Sequence, residues 1–488
     1  MAITNLVQAP EQFTPSANGA VFLFNSGYSH LKSFAYIVDV SVNQQWSHRD
    51  RIAPDAGSGL LYWNANSISS FLTSDPVSAS TLSAITPAIN TVQRFDLYVG
   101  VSYSFMSYSA LTSGGGSITF QLDAIHPFIV GDELYFSPNA TDPLNQYSGK
   151  RLVTGVPNNT SITIAGSLST TPVDQTGRIR RADGQPAIIT GITPSSIHYQ
   201  FKSAIPRAEY FDYDQDTIRV GNTNAKLGTN MPRSGYRMRA NGRLWIFNCI
   251  SANDLFMTIT TYGDNGIILG VYQFLNPYPV STTKAVYARC GPQDVTDAEA
   301  SAIILSGPTS IINDDVASYR IQWRGGSPFF QAKSDTITIN LDRSPAVPEC
   351  PVQLLFRCQR GSYVTALCTP AKRITGKTKK QTYKRRGFDL SATAPEYVSD
   401  QTIPEYVTYA VDHEESFATS AVLPTKDDAA FFSELFRSTE VYEVQEDGSL
   451  IPVIVYDGTR EAVNPYLIRG PIRWPVEYSR AYDQPLNI

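Results

Sequence analysis

The sequence predicts an all-β protein: several β-sandwich modules, a small β-barrel inserted in the first, and a C-terminal module carrying one short helix. Three observations carry that prediction. Apolar and polar residues alternate with period two over many short stretches. Clusters of Gly, Pro, Asn and Asp separate these stretches, as turns between strands require. Helical periodicity is scarce. At 488 residues the chain has room for about three domains.

Residues 34–42 read as a strand, with Phe34, Tyr36, Val38, Val40 and Val42 on one face and Ala35, Asp39 and Ser41 on the other. The pattern recurs at Phe95, Leu97, Val99, Val101, Tyr103 and Phe105. Ser113, Gly114, Gly115 and Gly116 then read as a flexible linker that opens an inserted unit. The segments SITFQL, DELYF, GKRLVTGV, SITIAG and TGRIRR follow, with a turn at His126 and Pro127. They supply about five short strands, enough for a small barrel. Further strands are expected over 243–249, 255–261, 267–274, 318–323, 336–341, 352–357 and 451–456. The best helix spans 425–437, where Thr425 caps the first turn, Asp428 completes a capping box, and Ala429, Phe432, Leu435 and Phe436 share one face. Shorter helices are expected at 65–72 and 296–304. The resulting modules are a discontinuous N-terminal β-sandwich (1–112 and 184–222), the barrel (113–183), a second β-sandwich (223–345) and the C-terminal module (346–488).

Composition narrows the function. Charged residues make up 17% of the chain and the formal net charge is −5, against a usual charged share of about a quarter. An aromatic content of 11% argues against disorder. The acidic balance argues against a surface that wraps nucleic acid. Five Cys in 488 residues are too few for a disulfide scaffold. Cys350, Cys358 and Cys368 lack a CxxC spacing and a nearby His, so no zinc site is expected. The first residues have neither the basic nor the apolar region of a signal peptide. The longest apolar stretches, such as 266–271 and 450–456, fall well short of the about 20 residues of a membrane helix. Synthesis in the cytoplasm, no membrane insertion and no cofactor are therefore expected.

No motif points to catalysis. The chain has no GxSxG, HExxH or P-loop. Its five His (His30, His48, His126, His198 and His413) do not pair at helical or strand spacing. Asp212, Asp214 and Asp216 have the spacing that opens a calcium loop, but Thr217 replaces its Gly and Thr223 its closing Glu. A carboxylate pair for glycoside hydrolysis requires a through-space distance that one sequence does not provide.

The sharpest local feature is a basic block. Lys372, Arg373, Lys377, Lys379, Lys380, Lys384, Arg385 and Arg386 fall within fifteen residues that contain no acid. The remainder, 387–488, has 18 Asp/Glu and 6 Lys/Arg. Such a block is either a phosphate contact, with Tyr383 available for stacking, or an arm that docks on acidic surface. The acidic segment in the same chain favours docking.

The order of several segments, 8–24, 34–42, 126–136, 149–156, 230–249, 350–368 and 433–455, resembles the modular virion structural proteins of tailed phages that infect Bacteroidetes-type bacteria. The resemblance runs through most of the chain. It implies a tail, collar or baseplate role and brings no catalytic residues. The abundance of Tyr, 27 residues, fits a subunit with large, partly wet interfaces. The expected function is that of a non-enzymatic virion subunit, ring- or hub-forming, that contacts copies of itself and other virion proteins. A receptor-binding tail protein that grips host surface glycan through the barrel is the alternative, and a polysaccharide-degrading enzyme comes third.

Overall fold

The computed structural model is all-β, with several sheets, one closed six-stranded barrel and a short C-terminal helix. It describes residues 4–18, 20–26, 34–42, 45–55, 58–65, 83–139, 146–169, 174–189, 197–203, 218–221, 225–233, 235–326, 331–343, 352–369, 373–384, 388–389, 396–397, 406–423, 425–445, 447–456 and 472–481. The chain forms two compact units, 1–73 with 90–215 and 74–89 with 216–488.

In the first unit a sandwich and the barrel follow one another along the chain. One sheet runs in the order Phe13–Pro15, His198–Phe201, Val92–Tyr103, Phe34–Val42, Gln45–Ile52, with Ala187–Ile189 added against Val92–Tyr103. A three-stranded sheet of Thr4–Gln8, Val21–Ser26 and Leu61–Asn64 faces it. The period-two pattern sets the register of burial. Tyr36, Val38, Val40, Phe95, Leu97, Val99 and Val101 are buried and pack against Phe22, Phe24, Leu61 and Trp63. Each such side chain contributes about 1.5–3 kcal/mol when fully buried.

The barrel closes through Ser117–Leu122, Ser161–Ala165, Gly149–Asn158, Glu133–Pro138, Gly177–Arg181 and Met106–Gly114, the last pairing back to the first. Alternate residues fill it, among them Tyr108, Ile118, Phe120, Leu134, Phe136, Val153, Ile162, Ile164 and Ile179. The sixth strand, Met106–Gly114, lies largely before the expected opening at 113. The residues read as a linker form its tight turn. Gly114 pairs with Ser117, and Gly115 and Gly116 have φ of 60° and 80°. Positive φ at both central positions is what a two-residue hairpin needs and what Gly provides. Gly177 serves closeness instead, since a Cβ there would meet the Tyr108 hydroxyl at 2.3 Å. At the expected turn, His126 Nδ1 accepts the Phe128 N–H at 3.2 Å and Nε2 faces the Ser161 carbonyl at 3.2 Å. Burial pushes the pKa of this imidazole down.

The second unit is a larger sandwich. Its seven-stranded sheet is Tyr236–Met238, Ile337–Leu341, Ser318–Gly325, Leu255–Tyr262, Ile268–Leu275, Ile303–Ser306, with Gln331–Ala332 attached. Its eleven-stranded sheet runs Arg373–Lys384, Tyr406–Leu423, Ile472–Arg480, Leu450–Val455, Val441–Val444, Gln353–Arg357, Tyr363–Leu367, Leu244–Ile250, Ala285–Arg289, Ile85–Pro87, with Arg219–Val220 beside Leu244–Ile250. One core lies between the two, including Ile246, Leu354, Phe356, Met257, Ile259, Tyr319, Ile321 and Trp323. Polar bonds tie the layers: Tyr319 donates to the Cys290 carbonyl at 2.8 Å, Trp323 Nε1 to Asn248 Oδ1 at 3.2 Å and the Tyr236 hydroxyl to the Thr365 carbonyl at 3.2 Å. The sequence reading separates 223–345 from 346–488, but Leu244–Ile250 and Tyr363–Leu367 are hydrogen-bonded neighbours in this one sheet.

The C-terminal helix spans Lys426–Phe432, with both halves of the Thr425–Asp428 capping box made, and a 3-10 turn over Leu435–Arg437 follows it. Ala429, Phe432 and Leu435 are buried as the helical face requires, and so is Phe431, whose ring lies 5.5 Å from that of Tyr236. At 296–304 the structure differs from the expectation. The helix is Pro292–Asp297, started by Pro at its first turn, and Ile303–Ser306 is a strand. Ala65 is described and buried; the rest of the expected helix at 65–72 lies outside the described residues.

Tyr103 pairs with Ala187 across the base of the barrel, so the two chain ends that enter and leave it are adjacent. Replacing residues 105–185 by a short Gly/Ser turn is expected to leave the sandwich folded, because a surface loop of either length closes at similar entropy. Calorimetry of the shortened chain checks this. Loss of cooperative unfolding in the first unit would make the barrel part of the sandwich core.

Candidate functional site

The basic block lies on the strand Arg373–Lys384, at the end of the eleven-stranded sheet. Its partner, Tyr406–Leu423, reaches the rest of the sheet only through Ser416–Leu423, which pair with Ile472–Arg480. Beyond that point nine register pairs, from Gly376 with Glu415 to Lys384 with Tyr406, form a two-stranded ribbon. At the usual strand rise it is about 30 Å long. Among the described residues no third strand borders it. A smaller pair, Phe388–Asp389 with Glu396–Tyr397, sits in the segment that joins the two strands.

The register places charge against charge. Lys377 is opposite Glu414 and Lys379 is opposite Asp412. Residues opposite one another share a face, so these four positions make one face of mixed sign. Lys380 is opposite Val411 and Lys384 opposite Tyr406, on the alternate face. Arg373, opposite Ala418, stands at the root. Lys372, Arg385 and Arg386 lie outside the described residues, as do Asp212, Asp214 and Asp216. The acidic share of the C-terminal segment is visible in composition, but not the identity of the two acids at register positions opposite the lysines. A run of acids at alternate positions, Asp412 and Glu414, was the available signal.

The sheet that carries the ribbon is held by buried charge. Asp294, fully buried on the helix Pro292–Asp297, accepts hydrogen bonds from Arg243 at 3.0 Å, the Leu244 N–H at 2.9 Å, Trp245 Nε1 at 3.0 Å and Arg289 at 3.3 Å. Arg289 also lies over the Trp245 ring, 4.8 Å from its centre. Four donors from two neighbouring strands thus meet one carboxylate, which fixes the helix across them. Further along the sheet Arg357 bonds Glu440 at 3.1 Å, and the Tyr363 hydroxyl donates to the same carboxylate.

A second open edge belongs to the seven-stranded sheet. Its last strand, Ile303–Ser306, is exposed at all four positions. Ile303 and Leu305 are each 51% exposed, with no charge or Pro in the strand to discourage pairing.

The described cysteines are all buried. Cys249, Cys358 and Cys368 are buried thiols, and burial pushes their pKa values up to about 12, about 11 and about 12. They stay protonated and unreactive at neutral pH. Among the described residues no group of three or more His, Cys, Asp or Glu is placed to hold a metal ion. No described helix is long and apolar enough to cross a membrane. Comparison with known protein families and with curated proteins finds no match to this chain.

Asp294→Ala removes the carboxylate bonded to Arg289 and one of the two carboxylates on Arg243, arginines whose side chains are only 2% and 5% exposed. Breaking one partner of such a buried group is expected to lower stability by about 3–5 kcal/mol. Denaturant unfolding checks this, and a change below about 1 kcal/mol, the range of a surface ion pair, would show the cluster is not an anchor.

Proposed function

We propose that this chain is a non-enzymatic structural subunit of a phage virion, a ring- or hub-forming part of a tail, collar or baseplate, and that it docks on neighbouring subunits through its ribbon. The observation that supports this reading is the ribbon itself. Two strands without a third are marginally stable at best in water, and their outer edges present unpaired backbone donors and acceptors. A strand or sheet edge of a neighbouring copy supplies the missing pairing. The open edge at Ile303–Ser306 offers a second place where sheets of adjacent subunits can join.

The two faces of the ribbon divide the work. Lys377 and Lys379 stand at register positions opposite Glu414 and Asp412, while Lys380 and Lys384 have no acid directly opposite and are the charges left for acidic surface on a neighbour. Phosphate binding is the weaker reading, because the return strand sets Glu414 and Asp412 opposite Lys377 and Lys379.

Three variants test the division. Lys377→Glu/Lys379→Glu sets like charges opposite one another, which disfavours the ribbon by roughly 0.2–1 kcal/mol per pair. Adding Asp412→Lys/Glu414→Lys exchanges the signs and restores opposite pairs, so assembly, read by light scattering at micromolar concentration, is expected to fail in the first and recover in the second. Lys380→Glu/Lys384→Glu is expected to leave the chain folded but monomeric. Normal oligomers from that last variant would contradict docking through the ribbon's basic face.

A further inference from the structure

The barrel carries a charged surface that the assembly reading does not use. Strand Gly177–Arg181 points Arg178 and Arg180 outward, and both are exposed. Each guanidinium lies over an aromatic ring, Arg178 at 4.5 Å from the centre of Phe105 and Arg180 at 4.8 Å from that of Tyr135. Among the described residues neither has an acidic partner, whereas Arg181 next to them is paired with Asp183 at 3.0 Å. The barrel register builds the surroundings. Arg178 is flanked by Ser137 on one side and Ser107 on the other. Arg180 is followed across the strands by Tyr135 and then Lys150, which pairs with Glu133 at 3.0 Å. Two rows thus lie side by side on the outer wall, about 7 Å apart along the strand. One presents serine, arginine, serine; the other presents arginine, tyrosine, lysine.

We propose that this face binds an acidic polysaccharide, with Arg178 and Arg180 holding its carboxylates and the flanking hydroxyls holding its sugar hydroxyls. A guanidinium stacked on a ring is held in one orientation with its N–H edges outward, which suits the bidentate grip on a carboxylate. Serine and tyrosine hydroxyls are the donors and acceptors that a sugar requires. Single-stranded nucleic acid fits less well. Its bases need open aromatic faces, and here the guanidiniums cover the outward faces of Tyr135 and Phe105. Arg178 and Arg180 alone would also release few counterions from a polymer charged at every residue. Each site is a short row of exposed groups and binds weakly by itself, and a polymer that spans several copies gains by avidity, by about 10²–10⁴. The binding residues are independent of the ribbon, so the inference stands or falls apart from the assembly reading.

The test uses the full chain immobilised at low density. Polygalacturonate is the acidic probe, dextran the uncharged one, and an oligo-dT strand the nucleic-acid one. Binding to polygalacturonate alone is expected. Arg178→Gln/Arg180→Gln should weaken it by at least about tenfold, the effect of losing one charged hydrogen-bonded contact. Arg178→Lys/Arg180→Lys keeps the charge without the fork and should lose affinity by several-fold with an unchanged melting temperature, so a folding defect in the Gln variant does not decide the matter. Arg320→Gln removes an exposed arginine stacked on Tyr262 at 4.9 Å in the other unit and should change nothing. The proposal is overturned by absence of polygalacturonate binding, by equal binding to dextran, by equal or tighter binding to oligo-dT, by full affinity in the Lys variant, or by an Arg320→Gln loss that matches the barrel variants.

Discussion

Backbone hydrogen bonding is the constraint on which this chain turns. A strand has a donor and an acceptor at almost every residue, and folded proteins pair nearly all those they bury. Inside the eleven-stranded sheet each strand meets that demand from two neighbours. Among the described residues that demand goes unmet where Arg373–Lys384 and the first half of Tyr406–Leu423 continue past Ile472–Arg480 with only each other. The rest of the second unit can be seen as the base for that extension. A shared core spans both sheets, and the Asp294 and Glu440 clusters lock neighbouring segments of the long sheet. A ribbon on a loose base would spend binding energy on ordering itself; a stiff base suits the docking proposed for it.

The parts of the fold that were legible in the sequence were those in which burial and local pattern agree. At Phe34–Val42 and Val92–Tyr103 one face is apolar and the other is not, so period two names the strand and its inner face together. Thr425 and Asp428 marked the start of the C-terminal helix for the same kind of reason, since a capping box is local chemistry. Its end was harder to place. Phe436 continues the 3.6-residue spacing, but the chain tightens into a 3-10 turn after Phe432.

Other features were set by partners distant in sequence. Gly115 and Gly116 suit a linker or a hairpin turn equally well, and only the pairing of Ser117 with Gly114 decides between them. Ile303 and Ile304 fit a helical stripe as well as an edge strand; pairing with Gln273 and Tyr272 makes them a strand. The ribbon strands gave almost no periodic signal, because Lys and Thr occupy both faces of Arg373–Lys384. The basic block was visible as charge, and its alignment with Asp412 and Glu414 came from a register closed over about thirty residues of intervening chain. Arg178 and Arg180 were visible as a period-two pair within a strand. Their stacking on Phe105 and Tyr135 depends on barrel closure.

The central claim is that the ribbon's outer edges are completed by a neighbouring subunit. Amide hydrogen exchange along 376–384 and 406–415, followed in the dilute chain and in the assembled particle, tests it most directly, because exchange reports whether each N–H has a lasting partner. The account predicts rapid exchange of the edge amides in the dilute chain and strong protection on assembly, while amides of Leu244–Ile250 stay protected in both. Equal exchange of the ribbon amides in the two states would contradict it.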